Sequence, residues 1–296
     1  MRLIQQIEQA AKKLTDAGVS FGHGTTNAFD EAAWLVLWKL GLPLDTPLQG
    51  EVSINVTNTQ IAGIDNLINQ RIDKRQPIAY ITQEAWLQGI PFYIDERSIV
   101  PRSLIAEILC SDQIDYWIHP EIKSVLDLCT GNGSLAVIAA LNFPDIKIDA
   151  SDISKDALEV ARINLKKHQL QDRITLFEAD GLLALTVQTN RCYDLILCNP
   201  PYVNSESMAN LPLEYLAEPS IALDGGIDGM RFIRKILQDA KNSLSKNGLL
   251  ILEIGNERNY FDAAFPLLPA VWLETSAGED QVLLLTQEAL SNGIAI

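Results

Sequence analysis

From residue 122 onward, short apolar runs alternate with helix-forming stretches, and this alternation limits the possible folds more than any other feature of the chain. Ser124-Val125-Leu126-Asp127-Leu128-Cys129 leads through a glycine turn into a helical stretch from Leu135 to Leu141. Ile146-Lys147-Ile148-Asp149-Ala150 ends at Ser151-Asp152, and Ala157 to His168 form the next helix. Ile174-Thr175-Leu176-Phe177 ends at Glu178-Ala179-Asp180, and Tyr193-Asp194-Leu195-Ile196-Leu197-Cys198 follows as the next strand. A helix from Phe232 to Leu244, closed by Gly248, precedes Leu249-Leu250-Ile251-Leu252-Glu253. Val271-Trp272-Leu273 and Gln281 to Leu285 complete the set. Apolar strands joined by helices predict an α/β fold, a doubly wound and mostly parallel sheet with right-handed crossovers. Such sheets bind ligands at the carboxyl ends of their strands.

The first 80 residues have a different rhythm. Apolar positions at 3, 4, 7, 10, 11 and 14 form a helical stripe that stops at Gly18. A glycine-broken loop, Phe21-Gly22-His23-Gly24-Thr25, leads to a mostly apolar helix from Asp30 to Trp38, closed at Gly41. Thr57-Asn58-Thr59-Gln60 fits a capping box opening a third helix to about Arg75. Short β-prone pieces around Gly89 predict a hairpin, and Ser103 is placed to cap a helix through Ile105 and Leu109. The expected division is a small helical domain over residues 1–80, a linking β-hairpin over 81–102 and the α/β domain over 103–296.

Thirty-eight acidic against 23 basic residues give a net charge of −15. Stable nucleic-acid binding needs a broad basic footprint that this chain lacks, whereas a basic protein partner would be favoured. The charge also simply keeps a protein soluble. Cys110, Cys129, Cys192 and Cys198 include no CxxC pair and read as free thiols of a reducing cytoplasm. His23, His119 and His168 are scattered, so no metal site is expected. The apolar runs are too short to cross a bilayer and the amino terminus carries no signal-peptide core, which implies a cytoplasmic protein without a membrane.

Two loops carry chemistry. Asp127-Leu128-Cys129-Thr130-Gly131-Asn132-Gly133 is the first βα turn, where glycines admit a ligand close to the backbone and a helix N-terminus faces it. Asp152 ends the second strand, nineteen residues after Gly133, placed to accept from both ribose hydroxyls or, alternatively, to cap the next helix. Asp180 ends the third strand, where a carboxylate can accept from an adenine amino group. These positions suit a dinucleotide or S-adenosylmethionine.

Asn199-Pro200-Pro201-Tyr202 separates those two. Two prolines cannot continue a buried strand, so the chain stops at its carboxyl end and presents an amide, a stiff backbone and a ring. Hydride transfer needs a proton donor there, commonly His or Lys, and none is present. For methyl transfer the task is alignment of an acceptor nitrogen. The Asn199 side-chain oxygen and the Pro200 carbonyl can each accept one N–H from that acceptor, and Tyr202 can stack on a planar group.

With these motifs the chain resembles the HemK/PrmC–PrmB protein glutamine methyltransferases, a class I Rossmann-like family that uses S-adenosylmethionine. The resemblance runs over nearly the whole length. Phe92-Tyr93-Ile94-Asp95-Glu96-Arg97-Ser98-Ile99-Val100-Pro101-Arg102 is similar to the family segment that lies over the cofactor, which implies roles there for Phe92 and Arg102. Glu218-Pro219 through Asp224-Gly225-Gly226-Ile227-Asp228-Gly229 is similar to the stretch following the family's catalytic loop. The resemblance implies that Asn199, Pro200, Pro201 and Tyr202 bind the glutamine, with Asn199, Pro200 and Tyr202 catalytic. It implies that Asp127, Thr130, Gly131, Gly133, Asp152, Asp180 and Asn199 line the cofactor site. Phe21 to Thr25 with Asp30-Glu31-Ala32, and Cys129 where the release-factor branch usually has glycine, resemble the PrmB branch. That implies the large-subunit ribosomal protein L-three as protein substrate rather than a release factor. A nucleic-acid adenine amino methyltransferase and a non-enzymatic ribosome-assembly factor are the readings set beside it.

Overall fold

The computed structural model describes residues 1–48, 54–118 and 122–293. His119 lies outside the described residues. Three helices, α1 (Leu3–Asp16), α2 (Ala28–Leu40) and α3 (Asn58–Lys74), open the chain. Leu3, Ile7, Ala10 and Leu14 of α1 are all buried, so the stripe seen in the sequence is the face that packs. The expected capping box forms: Gln60 N–H donates to Thr57 Oγ1 at 3.3 Å and Thr57 N–H to Gln60 Oε1 at 2.9 Å. A short helix α4 (Ile78–Thr82) then leads into the antiparallel hairpin of β1 (Glu84–Leu87) and β2 (Ile90–Tyr93).

After helix α5 (Ile105–Leu109) the main sheet begins. Its elements in chain order are β3 (Ser124–Leu128), α6 (Ser134–Asn142), β4 (Lys147–Asp152), α7 (Lys155–Lys167), β5 (Ile174–Glu178), α8 (Gly181–Thr189) and β6 (Tyr193–Cys198). The small pieces β7 (Val203–Asn204), α9 (Ser205–Ala209) and β8 (Asp224–Gly226) follow. Then come α10 (Arg231–Ser243), β9 (Leu244–Glu253), α11 (Arg258–Ala264), β10 (Val271–Thr275), β11 (Gly278–Thr286) and α12 (Gln287–Gly293). The seven-stranded sheet has the order β10-β11-β9-β6-β3-β4-β5, and only the pairings made by β11 are antiparallel. Side chains alternate between two cores. Val125, Leu195 and Leu197 pack with α5 and α6 on one face, while Leu126, Leu128, Ile196 and Cys198 pack with α8 and α10 on the other. Covering both faces lets these strands be continuously apolar.

The chain runs from β3 outward to β4 and β5, then returns to β6 on the other side of β3. That reversal opens a crevice above β3 and β6, the switch point at which doubly wound sheets hold ligands. The hairpin is stitched to this crevice by the wholly buried Asn164 of α7. Its Nδ2 donates to Tyr93 O at 3.0 Å and Asn132 O at 2.9 Å, and its Oδ1 accepts Tyr93 N–H at 2.7 Å.

Several expected details change. Gly248 does not close the helix: α10 stops at Ser243 and β9 starts at once, with Gly248 inside the strand beside a register shift. Ser103 is not an N-cap in the ordinary position. The helix starts at Ile105, and the Ser103 hydroxyl donates to Glu253 Oε2 at 2.6 Å. Helices α4, α8, α9, α11 and α12 are additions to the expected elements.

Candidate active site

Gly131 stands at φ +55°, and a side chain there would press on Ser98 Oγ, 3.2 Å from an added Cβ. Glycine therefore keeps the turn after β3 open to a ligand. The turn is braced from behind. Asp127 at the end of β3 is wholly buried, and its Oδ2 accepts from Thr130 Oγ1 at 2.5 Å and from Ala136 N–H at 2.9 Å. Burial pushes the Asp127 carboxyl up to about 7 against the help of those two hydrogen bonds.

A cavity of about 340 Å³ opens above the turn. Cys129, Gly131, Ser98, Ser151, Asp152, Asp180, Asn199 and Pro201 all face it. Asp152 Oδ2 accepts Gly131 N–H at 2.9 Å and its Oδ1 accepts Ser154 N–H at 2.8 Å. Helix α7 is capped by Ser154, whose Oγ accepts Ala157 N–H at 3.2 Å, so Asp152 is not the cap. Each Asp152 oxygen keeps a second lone pair for a ligand hydroxyl. Burial raises the Asp152 carboxyl despite these backbone donors. Asp180 is far more exposed, and its Oδ1 is paired with Lys235 Nζ at 2.8 Å.

This cavity suits a nucleoside-bearing ligand. The hydroxyls of Ser98 and Ser151 and the Asp127 Oδ1 are buried without any hydrogen-bond partner, although both serines line it. Buried polar atoms are rarely left unsatisfied, and a polar ligand in the cavity would satisfy the two serine hydroxyls. Asp152 and Asp180 bring two carboxylates to the same cavity.

On the other side of Asn199 lies a second cavity of about 660 Å³. Asn199, Pro200, Tyr202, Arg102, Tyr215 and Glu257 face it together with Phe21 from the N-terminal loop. Asn199 is one of three residues, with Ile99 and Ala222, that line both cavities. The Tyr202 ring is fixed at its tip, where its hydroxyl donates to Glu253 Oε1 at 3.2 Å. Burial and the Glu253 carboxylate raise the Tyr202 phenol, so it stays a protonated donor. The same ring lies against Gly255 at φ +54°, where an added Cβ would overlap Tyr202 Cε2 and stand 3.0 Å from Cζ.

Two expected cofactor residues sit elsewhere. Phe92 is fully buried in the sheet core, 5.3 Å from the His168 ring, and faces neither cavity. Ser98 and Ile99, later in the same segment, take the place expected of it. Arg102 lines the second cavity, held by Glu218 through two bonds of 2.7 Å. Burial resists ionisation of Glu218, but the Arg102 guanidinium wins and holds that carboxyl down at about 2. Thr130 and Gly133 shape the turn without lining the first cavity; Gly133, at φ +80°, packs where a Cβ would lie 3.1 Å from Ala161 Cβ. Phe21 and Ser98 lay inside the segments singled out in the sequence without being marked as site residues, and Ser151 and Glu253 sat in strands whose apolar pattern gave them no mark.

The Methyltransferase small domain family matches residues 117–226. Among solved structures, the hMettl16 catalytic domain in complex with MAT2A 3′UTR hairpin 1 superposes with a TM-score of 0.52 at 16% identity, covering 81% of this chain and 84% of that one. Likeness at that identity concerns the class I methyltransferase fold alone. A ribosomal protein uL3 glutamine methyltransferase of Bordetella pertussis is 48% identical over 287 residues, spanning 96% of this chain and 95% of the relative. Its counterpart in Burkholderia pseudomallei is 46% identical over 284 residues, spanning 94% and 92%. Identity near one half from the N-terminal helices to the last strands, on a fold that carries an amide between two cavities, makes this chain a member of the ribosomal protein uL3 glutamine methyltransferase family.

Proposed function

We propose that the chain transfers a methyl group from S-adenosylmethionine to the side-chain amide nitrogen of a glutamine in ribosomal protein uL3. The observation that carries this reading is the position of Asn199, which borders the cavity above the glycine turn and the wider second cavity at once. The names of the full-length relatives support the acceptor. Residues 103–296 hold the donor with help from Ser98 and Ile99 of the linking segment 81–102, and residues 1–80 select the protein.

S-adenosylmethionine supplies a methyl carbon already activated on a sulfonium, so the protein's work is alignment. Gly131 admits the ligand to the turn, Asp152 accepts from the ribose, and Asp180 stands where the adenine amino group is read. Pro201 walls the donor side. An amide nitrogen is a poor nucleophile because its lone pair is delocalised into the carbonyl. The Asn199 Oδ1 and Pro200 carbonyl each accept one of its N–H groups, which holds the nitrogen's π face toward the methyl carbon. Tyr202, fixed by Glu253, covers the planar amide. Methyl transfer would break the methyl–sulfur bond as the N–C bond forms, leaving a neutral thioether with the electron pair, and the proton released from the alkylated amide would pass from its Asn199 or Pro200 acceptor to water.

Labelled S-adenosylmethionine with purified uL3 tests the reading. Label is expected on one glutamine peptide, and Asn199→Ala should lower transfer by about 100-fold or more while S-adenosylmethionine binding holds, by analogy with losing one oxyanion-hole donor. Label appearing in nucleic acid or a release factor instead would overturn the assignment.

A further inference from the structure

The acceptor cavity is closed by two parts of the chain that are distant in sequence. Its inner wall is Asn199, Pro200 and Tyr202. Its outer wall combines Ser20, Phe21 and Thr26, from the loop between α1 and α2, with Tyr215. At about 660 Å³ it is much larger than one carboxamide side chain requires, so most of it is available to the chain flanking that side chain.

The outer wall is rigid, and the reason is a buried charge network. Arg71 of α3, 1% exposed, donates from Nε to Glu31 Oε1 at 2.7 Å, from Nη1 to Glu214 Oε1 at 3.1 Å and from Nη2 to Ser20 O at 2.8 Å. Glu214 also accepts Ser20 N–H at 3.1 Å. Four residues further on, Glu218 grips Arg102 at both oxygens and accepts Val100 N–H at 2.9 Å. The turn between these carboxylates, Tyr215–Ala217, is therefore pinned at both ends. Tyr215 itself lies between the His23 ring, 4.3 Å away, and the Arg102 guanidinium, 5.4 Å from its centroid. Its hydroxyl fills the place a Cβ on Gly22 would take, so that position, at φ +138°, has no room for a side chain.

We propose that Phe21 and Tyr215 are specificity-determining residues that grip the segment of the protein acceptor flanking the target glutamine. Glu218 and Arg71 are positioning residues that hold this pair in a preformed grip. The proposal rests on the acceptor site described above. A preformed aromatic wall binds without an ordering cost, and aromatic rings in pockets dominate recognition of protein segments. Because these rings touch the flanking chain and not the reacting amide, they contribute equally to ground state and transition state. Their loss raises KM and leaves kcat alone.

The experiment is initial-rate methyl transfer to intact uL3 by the full-length chain, with S-adenosylmethionine affinity measured alongside. Phe21→Ala and Tyr215→Leu are each expected to raise KM for uL3 about tenfold, equivalent to ~1.4 kcal/mol of binding, with kcat and S-adenosylmethionine affinity within about twofold of wild type. Phe21→Tyr should restore KM. Glu218→Gln should raise KM in the same way. Thr26→Trp, at an exposed rim position outside the core, gives the same readout should Phe21→Ala fold poorly. An unchanged KM in Thr26→Trp and in either aromatic variant overturns the grip. Absence of transfer by the wild-type chain would instead overturn the assignment of uL3 as acceptor.

Discussion

Gly255→Ala tests how closely the acceptor site is aligned, because the three atoms nearest the new methyl group all belong to Tyr202. At φ +54° the backbone strain of an alanine costs about 1 kcal/mol. The larger effect is steric. The added Cβ overlaps Tyr202 Cε2 and lies 3.0 Å from Cζ and 3.1 Å from Cδ2. Restoring even the short end of ordinary contact, near 3.4 Å, requires the ring edge to move by about 1 Å. That movement stretches the 3.2 Å bond to Glu253 and displaces the surface covering the acceptor amide. A misplacement of that size costs about 100-fold in rate, so kcat for uL3 methylation should fall by about that factor. Tyr202 faces only the acceptor cavity, so calorimetric S-adenosylmethionine affinity should hold. Gly18→Ala provides the control, since Gly18 has a similar φ of +58° with nothing within 4 Å. It should lose about 1 kcal/mol in urea unfolding and no activity. If Gly255→Ala keeps more than about a third of the wild-type kcat, the Tyr202 ring does not set the acceptor geometry and the alignment argument is wrong.

Asp152→Asn replaces a four-lone-pair carboxylate, already holding Gly131 and Ser154, by a group whose nitrogen cannot accept. S-adenosylmethionine affinity should drop about tenfold or more by calorimetry, as when a charged hydrogen-bond partner is lost. Arg71→Ala leaves Glu31 and Glu214 buried without their shared cation and should cost about 3–5 kcal/mol in urea unfolding. Asp127 should make stability pH-dependent. Its folded value near 7 lies above the ordinary 3.8, so the folded state binds the extra proton, and stability falls as pH rises between them. At about 1.4 kcal/mol per pH unit the ceiling is about 4 kcal/mol. Asp127→Asn should flatten the urea midpoint between pH 4 and 7 relative to wild type; an unchanged slope would refute the assignment.

The α/β sheet was legible because its strands are buried on both faces and so read as unbroken apolar runs. Helix α8 was not, since Gly181-Leu182-Leu183-Ala184-Leu185-Thr186-Val187 is apolar all round and carries no periodicity to separate helix from strand. Gly248 read as a helix stop because glycine marks helix ends and strand irregularities alike. At the site, Asn199, Gly131 and Asp152 were readable because strand ends and prolines fix where they point. Phe92 and Arg102 were misplaced because their segment crosses from the core to the crevice within a few residues, and only packing decides which side chain faces which way. The Glu31–Arg71–Glu214 cluster is invisible in sequence, where its members look like ordinary surface charges.

Arg71 and Glu214 are 143 residues apart. During synthesis the N-terminal helices therefore leave the ribosome well before the carboxylate that completes their charge cluster exists. Domains tend to fold in the order they are made, so α1 to α3 must wait with Arg71 only partly matched, held by Glu31 and the Ser20 carbonyl. The acceptor cavity comes into being only when Glu214 to Glu218 have been added and docked. A nascent or truncated chain ending before that turn lacks half of the wall, so the second cavity is completed late in the chain's own translation.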